Sequence, residues 1–153
     1  MRRRTLLTTG LAAALATAVP LAGCSSGEPV TVVVKIGPTP VEFRAEVAET
    51  AHQQRDGLSG RDELSPGMGM LFRFGSRSEQ AVWMTGMAVP LDIAWIADGK
   101  ILAVDTLSPC TEPNQEQCPL WTSPSAVDAL LEVPADSLAT VVPGMTVSIE
   151  EQA

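Results

Sequence analysis

Short apolar runs of strand length recur along the chain and are separated by clusters of glycine, proline and serine. This spacing is typical of an antiparallel β fold, because a doubly wound sheet would need long helical segments between its strands. We therefore expect a mainly β domain, a compact sandwich or small barrel of about eight strands with one or two short helices. The predicted strands cover residues 30–36, 41–47, 70–74, 81–84, 91–96, 101–107, 126–133 and 145–149.

Two local signals mark a turn and a helix. Asp98-Gly99 lies between two apolar runs and predicts a two-residue hairpin loop, since both central residues of a type I′ turn need positive φ. Thr50 and Gln53 form the pattern of a capping box, and Gly57 is a typical helix stop. A short helix is expected between them, and residues 136–141 could form one further helical turn.

The predicted hairpin has a chemical consequence, because a two-residue loop places Asp92 directly opposite Asp105. Their Cβ atoms would lie about 5 Å apart on an otherwise apolar sheet. Two such anions need a shared proton, a cation or access to water. Acid/base catalysis and a bound divalent cation are two solutions. A structural ion pair is the third, with Arg61 or Arg55 reaching Asp92 while Asp105 points to solvent.

The N-terminal 23 residues have the organisation of an export signal. Arg2, Arg3 and Arg4 precede an apolar run over residues 6–19, which as a helix would rise only about 21 Å and so is too short to span a bilayer. The residues Leu-Ala-Gly before Cys24 resemble a bacterial lipobox, in which the cysteine thiol receives the lipid. We expect a signal peptide over residues 1–23, a spacer over 24–29 and one β domain over 30–153. Whether export is general or by the twin-arginine route stays open.

Charge limits the partners. The chain has 10 basic and 18 acidic residues and a net charge of −8, which becomes −11 if the three N-terminal arginines are removed with the signal. We do not expect the protein to bind nucleic acid, because proteins that do so carry clustered positive charge. The expected location is the extracytoplasmic face of a bacterial cell membrane, and the expected attachment is the lipid on Cys24 rather than a basic patch.

With Cys24 assigned to the lipid, Cys110 and Cys118 remain as a pair. An exported protein meets an oxidising compartment, so we expect a disulfide between them. The chain has one histidine, which argues against a zinc site, whereas a redox role for the two thiols stays possible.

Six sequence blocks resemble the family named domain of unknown function 192 (DUF192). The resemblance implies a compact, mainly β domain and brings no established activity. One departure is that the family usually has Asn shortly after its Trp-Met pair, where this chain has Gly86 and Met87. The blocks are Arg55 to Arg61, Gly67 to Phe72, Val82 to Met84, Pro90 to Ile93, Pro109-Cys110 with Cys118-Pro119, and Leu131 to Pro134.

Three functional hypotheses follow, and none requires a cofactor. Because no complete catalytic set is visible, the first is a binding or accessory domain of the cell envelope, with an unknown envelope ligand or protein as its partner. The second is an envelope hydrolase or metal-assisted enzyme that uses Asp92 and Asp105. The third is a Cu(I)-binding protein, since exported proteins can hold Cu(I) through thioethers. The candidate binding residues are Arg55, Arg61, Trp83, Met84, Gly86 and Asp92, and the candidate copper ligands are Met68, Met70, Met84 and Met87.

Overall fold

The structure is a computed structural model that describes residues 28–152. Within this range the chain forms nine strands, one short α-helix and one turn of 3-10 helix at Gln115–Gln117. The helix is α1 (Ala51–Asp56). The strands are β1 (Thr31–Gly37), β2 (Val41–Ala48), β3 (Met68–Ser78), β4 (Ala81–Trp83), β5 (Leu91–Ala97), β6 (Lys100–Leu107), β7 (Leu120–Thr122), β8 (Val127–Pro134) and β9 (Thr146–Glu151).

Seven strands close into a barrel in the order β1-β2-β3-β8-β5-β6-β9, with β9 returning to β1. The pair β2 and β3 is parallel, and its crossover carries α1, whereas the other neighbours are antiparallel. Strands β4 and β7 form a separate two-stranded sheet. The prediction of a mainly β domain is confirmed, and of the two architectures expected the chain adopts the barrel.

The barrel wall is buried on both faces along β3, β5 and β8. Alternate residues of each strand point to opposite faces. One set fills the barrel interior together with Val32, Val34 and Ile36 of β1, which alternate inward. The other set forms a second apolar cluster outside the barrel, covered by residues that follow α1 and by β4 and the loop after it. That outer cluster contains Leu58, Met70, Phe72, Val82, Met84, Leu91, Ile93 and Trp95.

The β5–β6 hairpin has the predicted turn but not the predicted register. Asp98 and Gly99 have φ values of 51° and 66°, as a type I′ turn requires. Ile96 lies opposite Ile101, but the register then shifts and Trp95 lies opposite Ala103. One extra residue, Leu102, is therefore inserted in β6 as a β-bulge. Every residue of β6 beyond the bulge points to the face opposite to the one predicted.

The segment between β8 and β9 closes one end of the barrel. It forms hydrogen-bonded turns over residues 135–140, where a helical turn was expected. Leu138 and Val141 of this segment are buried in the interior cluster. Asp92 of β5 fastens the segment, because its Oδ2 accepts a hydrogen bond from the Leu138 backbone N at 2.9 Å.

Helix α1 begins and ends where the sequence indicates. The Thr50 hydroxyl accepts from Gln53 N at 3.2 Å, Gln53 Oε1 accepts from Thr50 N at 3.0 Å, and Gly57 follows at φ 49°. Strand β7 was not predicted. Its three residues are all exposed, so it lacks the buried, alternating pattern that identifies a strand in a sequence.

Candidate functional site

A partly open cavity of about 370 Å³ lies between α1 and the β4–β7 sheet. Its floor is the outer face of the barrel wall, formed by residues of β3, β5 and β8. The volume is within the range of small-molecule sites, about 300 to 1,000 Å³. The lining residues are mostly apolar: Gly57, Leu58, Phe72, Ala81, Val82, Trp83, Met84, Met87, Leu91 and Leu120, with Gln54, Arg55, Asp56, Ser59, Thr85 and Glu132 as the polar members.

Glu132 places a carboxyl group at this cavity. It lies on β8 opposite Met70 of β3 and Ile93 of β5, and directly opposite residues share a face, so its side chain points outward into the apolar cluster. Only 6% of the residue is exposed, and its side chain has no hydrogen-bond or ionic partner within residues 28–152. Burial alone raises the pKa of this carboxyl to about 8, so at neutral pH the empty site holds the protonated acid.

Thr85 contributes a second unsatisfied polar group to the cavity. Its Oγ1 is buried and has no hydrogen-bond partner within the described part of the chain. Buried polar atoms without partners are rare, because each forfeits its hydrogen bonds to water. Within residues 28–152 Thr85 Oγ1 is the one fully buried side-chain polar atom without a partner, and it belongs to a residue of the same lining that contains the unpartnered carboxyl of Glu132.

The loop after β4 is held against α1 by contacts that need Gly86. Ser59 Oγ donates to the Thr85 carbonyl at 3.0 Å, and Gly60 N donates to the Gly86 carbonyl at 3.0 Å. Gly86 has φ 72°, and a Cβ there would lie 2.5 Å from Ser59 Oγ. A larger residue would therefore push the Ser59 hydroxyl away and break its hydrogen bond to the Thr85 carbonyl. The close contact with Ser59 explains why this chain has glycine at position 86, where the family resemblance leads one to expect Asn.

A disulfide joins Cys110 and Cys118, with 5.8 Å between their Cα atoms. The sequence prediction of this bond is confirmed. Cys110 N also donates to the Met84 carbonyl at 3.1 Å, and Cys118 precedes β7 by two residues. The disulfide thus ties the loop after β4 to the start of β7, the two parts of the chain that form one wall of the cavity.

The predicted aspartate pair does not form, because the bulge at Leu102 moves the two carboxyl groups to opposite faces. Asp92 lies opposite Thr106 and points to the barrel interior, where its Oδ1 accepts from Thr106 Oγ1 at 2.6 Å. Asp105 lies opposite Ile93 on the outer face and accepts from Trp95 Nε1 at 2.6 Å. The prediction that they share one site is wrong. The bulge avoids placing two anions side by side on a buried face.

The predicted cation for Asp92 is also wrong. Arg61 makes two hydrogen bonds to Glu46 of β2, at 2.8 and 2.6 Å. The hydrogen bond from Arg61 is the main cause that lowers the pKa of Glu46. Arg55 lines the cavity mouth, is exposed, and takes part in none of the ion pairs within residues 28–152.

Four of the six predicted binding residues lie at the cavity and two lie elsewhere. Arg55, Trp83 and Met84 line the cavity, and Gly86 lies in the loop that forms its edge. Arg61 and Asp92 lie elsewhere, in the pair with Glu46 and in the barrel interior.

The four methionines predicted as copper ligands differ in how far their side chains are buried. Met70 and Met84 are buried in the outer cluster, Met87 packs against it, and Met68 at the start of β3 is half-buried. Copper binding through these thioethers stays a prediction. No cluster of three or more His, Cys, Asp or Glu residues suited to a metal occurs within residues 28–152.

Sequence reasoning missed Glu132 and Thr85. Glu132 did carry a signal, since it is a single carboxylate inside the apolar run Leu130-Leu131-Glu132-Val133, and a charge there must either find a partner or stay neutral. Thr85 carried none, because a threonine between Met84 and Gly86 is ordinary in a loop.

The predicted signal peptide and Cys24 lie outside the described residues. So does the spacer up to Gly27, and the structure is silent on the predicted lipid anchor. Within the part of the chain that it describes, we find no helix with the length and hydropathy needed to span a bilayer.

Comparison with known proteins identifies relatives but no activity. The family model of DUF192, described as "Uncharacterized ACR", matches residues 32–149. A crystal structure of a candidate transcription regulator from Sinorhizobium meliloti 1021 is similar at 27% identity and a TM-score of 0.68, over 80% of this chain and 94% of that one. A protein of unknown function from Novosphingobium aromaticivorans DSM 12444 is similar at 26% identity and a TM-score of 0.68, over 86% and 94%. No curated protein matches.

Proposed function

Because the chain belongs to the uncharacterised DUF192 family, its activity has to be inferred from the site, and we propose that the domain binds a small ligand in the cavity between α1 and the β4–β7 sheet. We further propose that it does so as a lipid-anchored protein on the extracytoplasmic face of a bacterial membrane. The first part is supported by the cavity and the second by the N-terminal sequence.

The observation that carries the binding proposal is the unpartnered carboxyl of Glu132 at the cavity. A carboxyl group buried without a partner destabilises the fold, and a mutation to an apolar residue would remove that cost. Its presence is explained if a ligand supplies the missing hydrogen bonds. The apolar and aromatic walls around it, with few polar groups, have the composition usual for ligand sites.

Trp83 offers a direct test of this site, because a residue of the same type lies nearby outside it. Trp83 lines the cavity and is 47% exposed, whereas Trp121 of the same two-stranded sheet is 43% exposed and does not line it. In NMR screening of small aromatic and aliphatic compounds, we expect bound compounds to shift the Trp83 indole N–H and the Met84 methyl signals. Trp83→Ala should weaken binding about fivefold, the equivalent of about 1 kcal/mol of lost aromatic contact.

The control is Trp121→Ala, which should leave affinity unchanged. If no compound in a chemically broad set moves the Trp83 and Met84 signals, or if both tryptophan variants weaken binding equally, the cavity is not a ligand site.

The proposed lipid anchor on Cys24 can be tested by replacing the cysteines and following the incorporation of labelled palmitate. In a bacterial host fed labelled palmitate, the full chain should incorporate label and remain with the membrane fraction. Cys24→Ser should abolish labelling, because no other thiol follows a lipobox-like sequence. The double variant Cys110→Ser, Cys118→Ser is the control and should keep its label. Labelling that persists in Cys24→Ser would contradict the proposed anchor.

The alternative functions have weaker support. The envelope hydrolase or metal-assisted enzyme needed Asp92 and Asp105 in one site, and they lie on opposite faces of the sheet. The description of a relative as a transcription regulator concerns that protein, and a net charge of −8 opposes contact with a phosphate backbone here.

A further inference from the structure

We propose that the cavity is selective for organic cations, namely a primary ammonium group on an apolar body, with the carboxylate of Glu132 as its counter-ion. This inference rests on the proposed function, because it names the ligand class for the same cavity. It follows from the charges that face the cavity, from the hydrogen-bonding groups left unsatisfied there and from the shape of its walls.

The first argument is the charge inventory of the cavity. Among its lining residues only Arg55, Asp56 and Glu132 are ionisable. Arg55 and Asp56 lie on the exposed end of α1, where solvent screens their charges, and Asp56 also lies 2.9 Å from Nδ1 of His52. Glu132 is the one ionisable side chain of the lining that is buried.

The elements packed around Glu132 provide no charge to match it. Strand β3 presents Met70 and Phe72, and strand β5 presents Leu91 and Ile93. The β4–β7 sheet and the loop after it contribute Ala81, Trp83, Met84, Thr85, Met87 and Leu120 to the lining. Arg55, the one cation of the lining, is exposed and forms no ion pair with Glu132, so a positive charge in contact with Glu132 must come from a ligand. A ligand anion would leave Glu132 as the neutral acid and would be opposed by a protein of net charge −8, which raises the local concentration of cations instead.

The second argument concerns hydrogen bonds. A primary ammonium group has three N–H donors and no acceptor. The carboxyl oxygens of Glu132 in the lining make no hydrogen bond within residues 28–152, and once ionised they only accept. The unpartnered hydroxyl of Thr85 is buried directly behind the same lining and can also accept. The cavity therefore presents acceptors that suit an ammonium group, and its open side leaves the third N–H to water.

The third argument is the cavity wall. Phe72, Met84 and Leu91 supply apolar surface, and the exposed ring of Trp83 lies at the rim. An aromatic face attracts cations through its quadrupole, most strongly for Trp. A ligand with an apolar body next to its ammonium group would fill the cavity and place its charge near both Glu132 and an aromatic ring.

Binding of this kind moves a proton. The empty site holds Glu132 as a neutral acid, so an incoming ammonium ion displaces the acid proton to the buffer and leaves a carboxylate–ammonium pair. Because burial raises the pKa of Glu132 to about 8, complex formation at pH 6.5 should release about one proton. Affinity should then rise about tenfold per pH unit and level off above about pH 8.

The test compares three probes with the same phenyl body and different head groups: 2-phenylethylamine, 2-phenylethanol and 3-phenylpropanoate. Calorimetry at pH 7.5 should show the amine binding at least about tenfold more tightly than the alcohol, with the acid weakest. Titrations in buffers of different ionisation enthalpy at pH 6.5 should report the released proton. Glu132→Gln should remove the preference for the amine, and Thr85→Val should weaken amine binding about threefold by removing one acceptor.

The possible results separate this inference from the proposed function. If the alcohol or the acid binds as tightly as the amine, or the amine binds without proton release, the cation inference is wrong while the cavity remains a ligand site. If none of the probes binds but the broader screen finds compounds of other charge at Trp83 and Met84, the inference fails again and the proposed function stands. If no compound reaches the cavity, both fail. If Glu132→Gln folds poorly, the loss of affinity in Thr85→Val, compared with unchanged affinity in Trp121→Ala, still tests the inference.

Discussion

Replacing Glu132 with glutamine should stabilise the ligand-free domain by about 3 kcal/mol at pH 7 and about 5 kcal/mol at pH 9, relative to its effect at pH 4. The physical reason is the pKa of the buried carboxyl, which rises from 4.5 to about 8 on folding. Glutamine has nearly the same shape and stays neutral. Urea denaturation of both proteins across this pH range measures the difference.

The sign follows from the proton count. Below pH 4.5 the carboxyl is protonated in both states and contributes no pH dependence. Between pH 4.5 and 8 the folded state keeps a proton that the unfolded state has released, so raising the pH destabilises the fold. Above pH 8 the Glu132 carboxyl is ionised in both the folded and the unfolded state, and the loss of folding free energy increases no further. The difference between wild type and Glu132→Gln isolates this group from all others.

Glu46→Gln is a control with the opposite sign. Its pKa is lowered on folding, mainly by the hydrogen bond from Arg61, so its contribution is present above pH 4.5 and is lost as the pH falls through the lowered value. Glu46→Gln should therefore reduce stability at neutral pH and have little effect in acid. Parallel pH profiles for wild type and Glu132→Gln would contradict a buried, unpartnered acid at position 132.

Asp92→Ala should destabilise the domain by about 3 kcal/mol. Asp92 is 2% exposed and accepts hydrogen bonds from Leu138 N and Thr106 Oγ1. The alanine would leave the buried Leu138 N–H without a partner and would open a small cavity. Because Leu138 belongs to the segment that closes the barrel, we also expect faster hydrogen exchange of the Leu138 amide.

Two further variants separate the contacts of Asp92. Thr106→Val removes only one hydrogen bond and should cost about 1 kcal/mol. Asp92→Asn keeps one acceptor oxygen and should lie between the two. Binding of 2-phenylethylamine should survive all three changes, because Asp92 points into the barrel and Glu132 points out of it. Lost binding with unchanged stability would give Asp92 a place in the ligand site instead.

How far the sequence predicts this fold depends on whether the determinant is local. The type I′ turn at Asp98-Gly99 and the capping box of Thr50 and Gln53 depend on a few adjacent residues, and both are found. The bulge at Leu102 is not local. It turns Asp105 outward to accept from Trp95 and leaves Asp92 to the barrel interior, and both destinations lie on other parts of the fold.

The candidate site was predictable to a similar extent. Trp83 and Met84 could be chosen because they stand in a block of the family resemblance, and they line the cavity. Arg61 was assigned the wrong partner, because its carboxylate comes from β2, a strand that precedes α1 and pairs in parallel with β3. Glu132 differs again. Its burial depends on β3 and β5 lying on either side of β8, which no window around residue 132 reveals.

The position of β8 at the centre of the two-layered wall bears on how ligand preference could diverge within the family. Glu132 is held by a strand paired on both sides, in the part of a fold that opens least in native-state fluctuations. The opposite wall includes the three-residue pairing of β4 with β7, and the three residues of β7 are all exposed, so substitutions in β7 disturb few buried contacts. In the proposed ligand site, Glu132 is therefore the position least free to change, and size and shape selectivity can change at β7 without rebuilding the barrel.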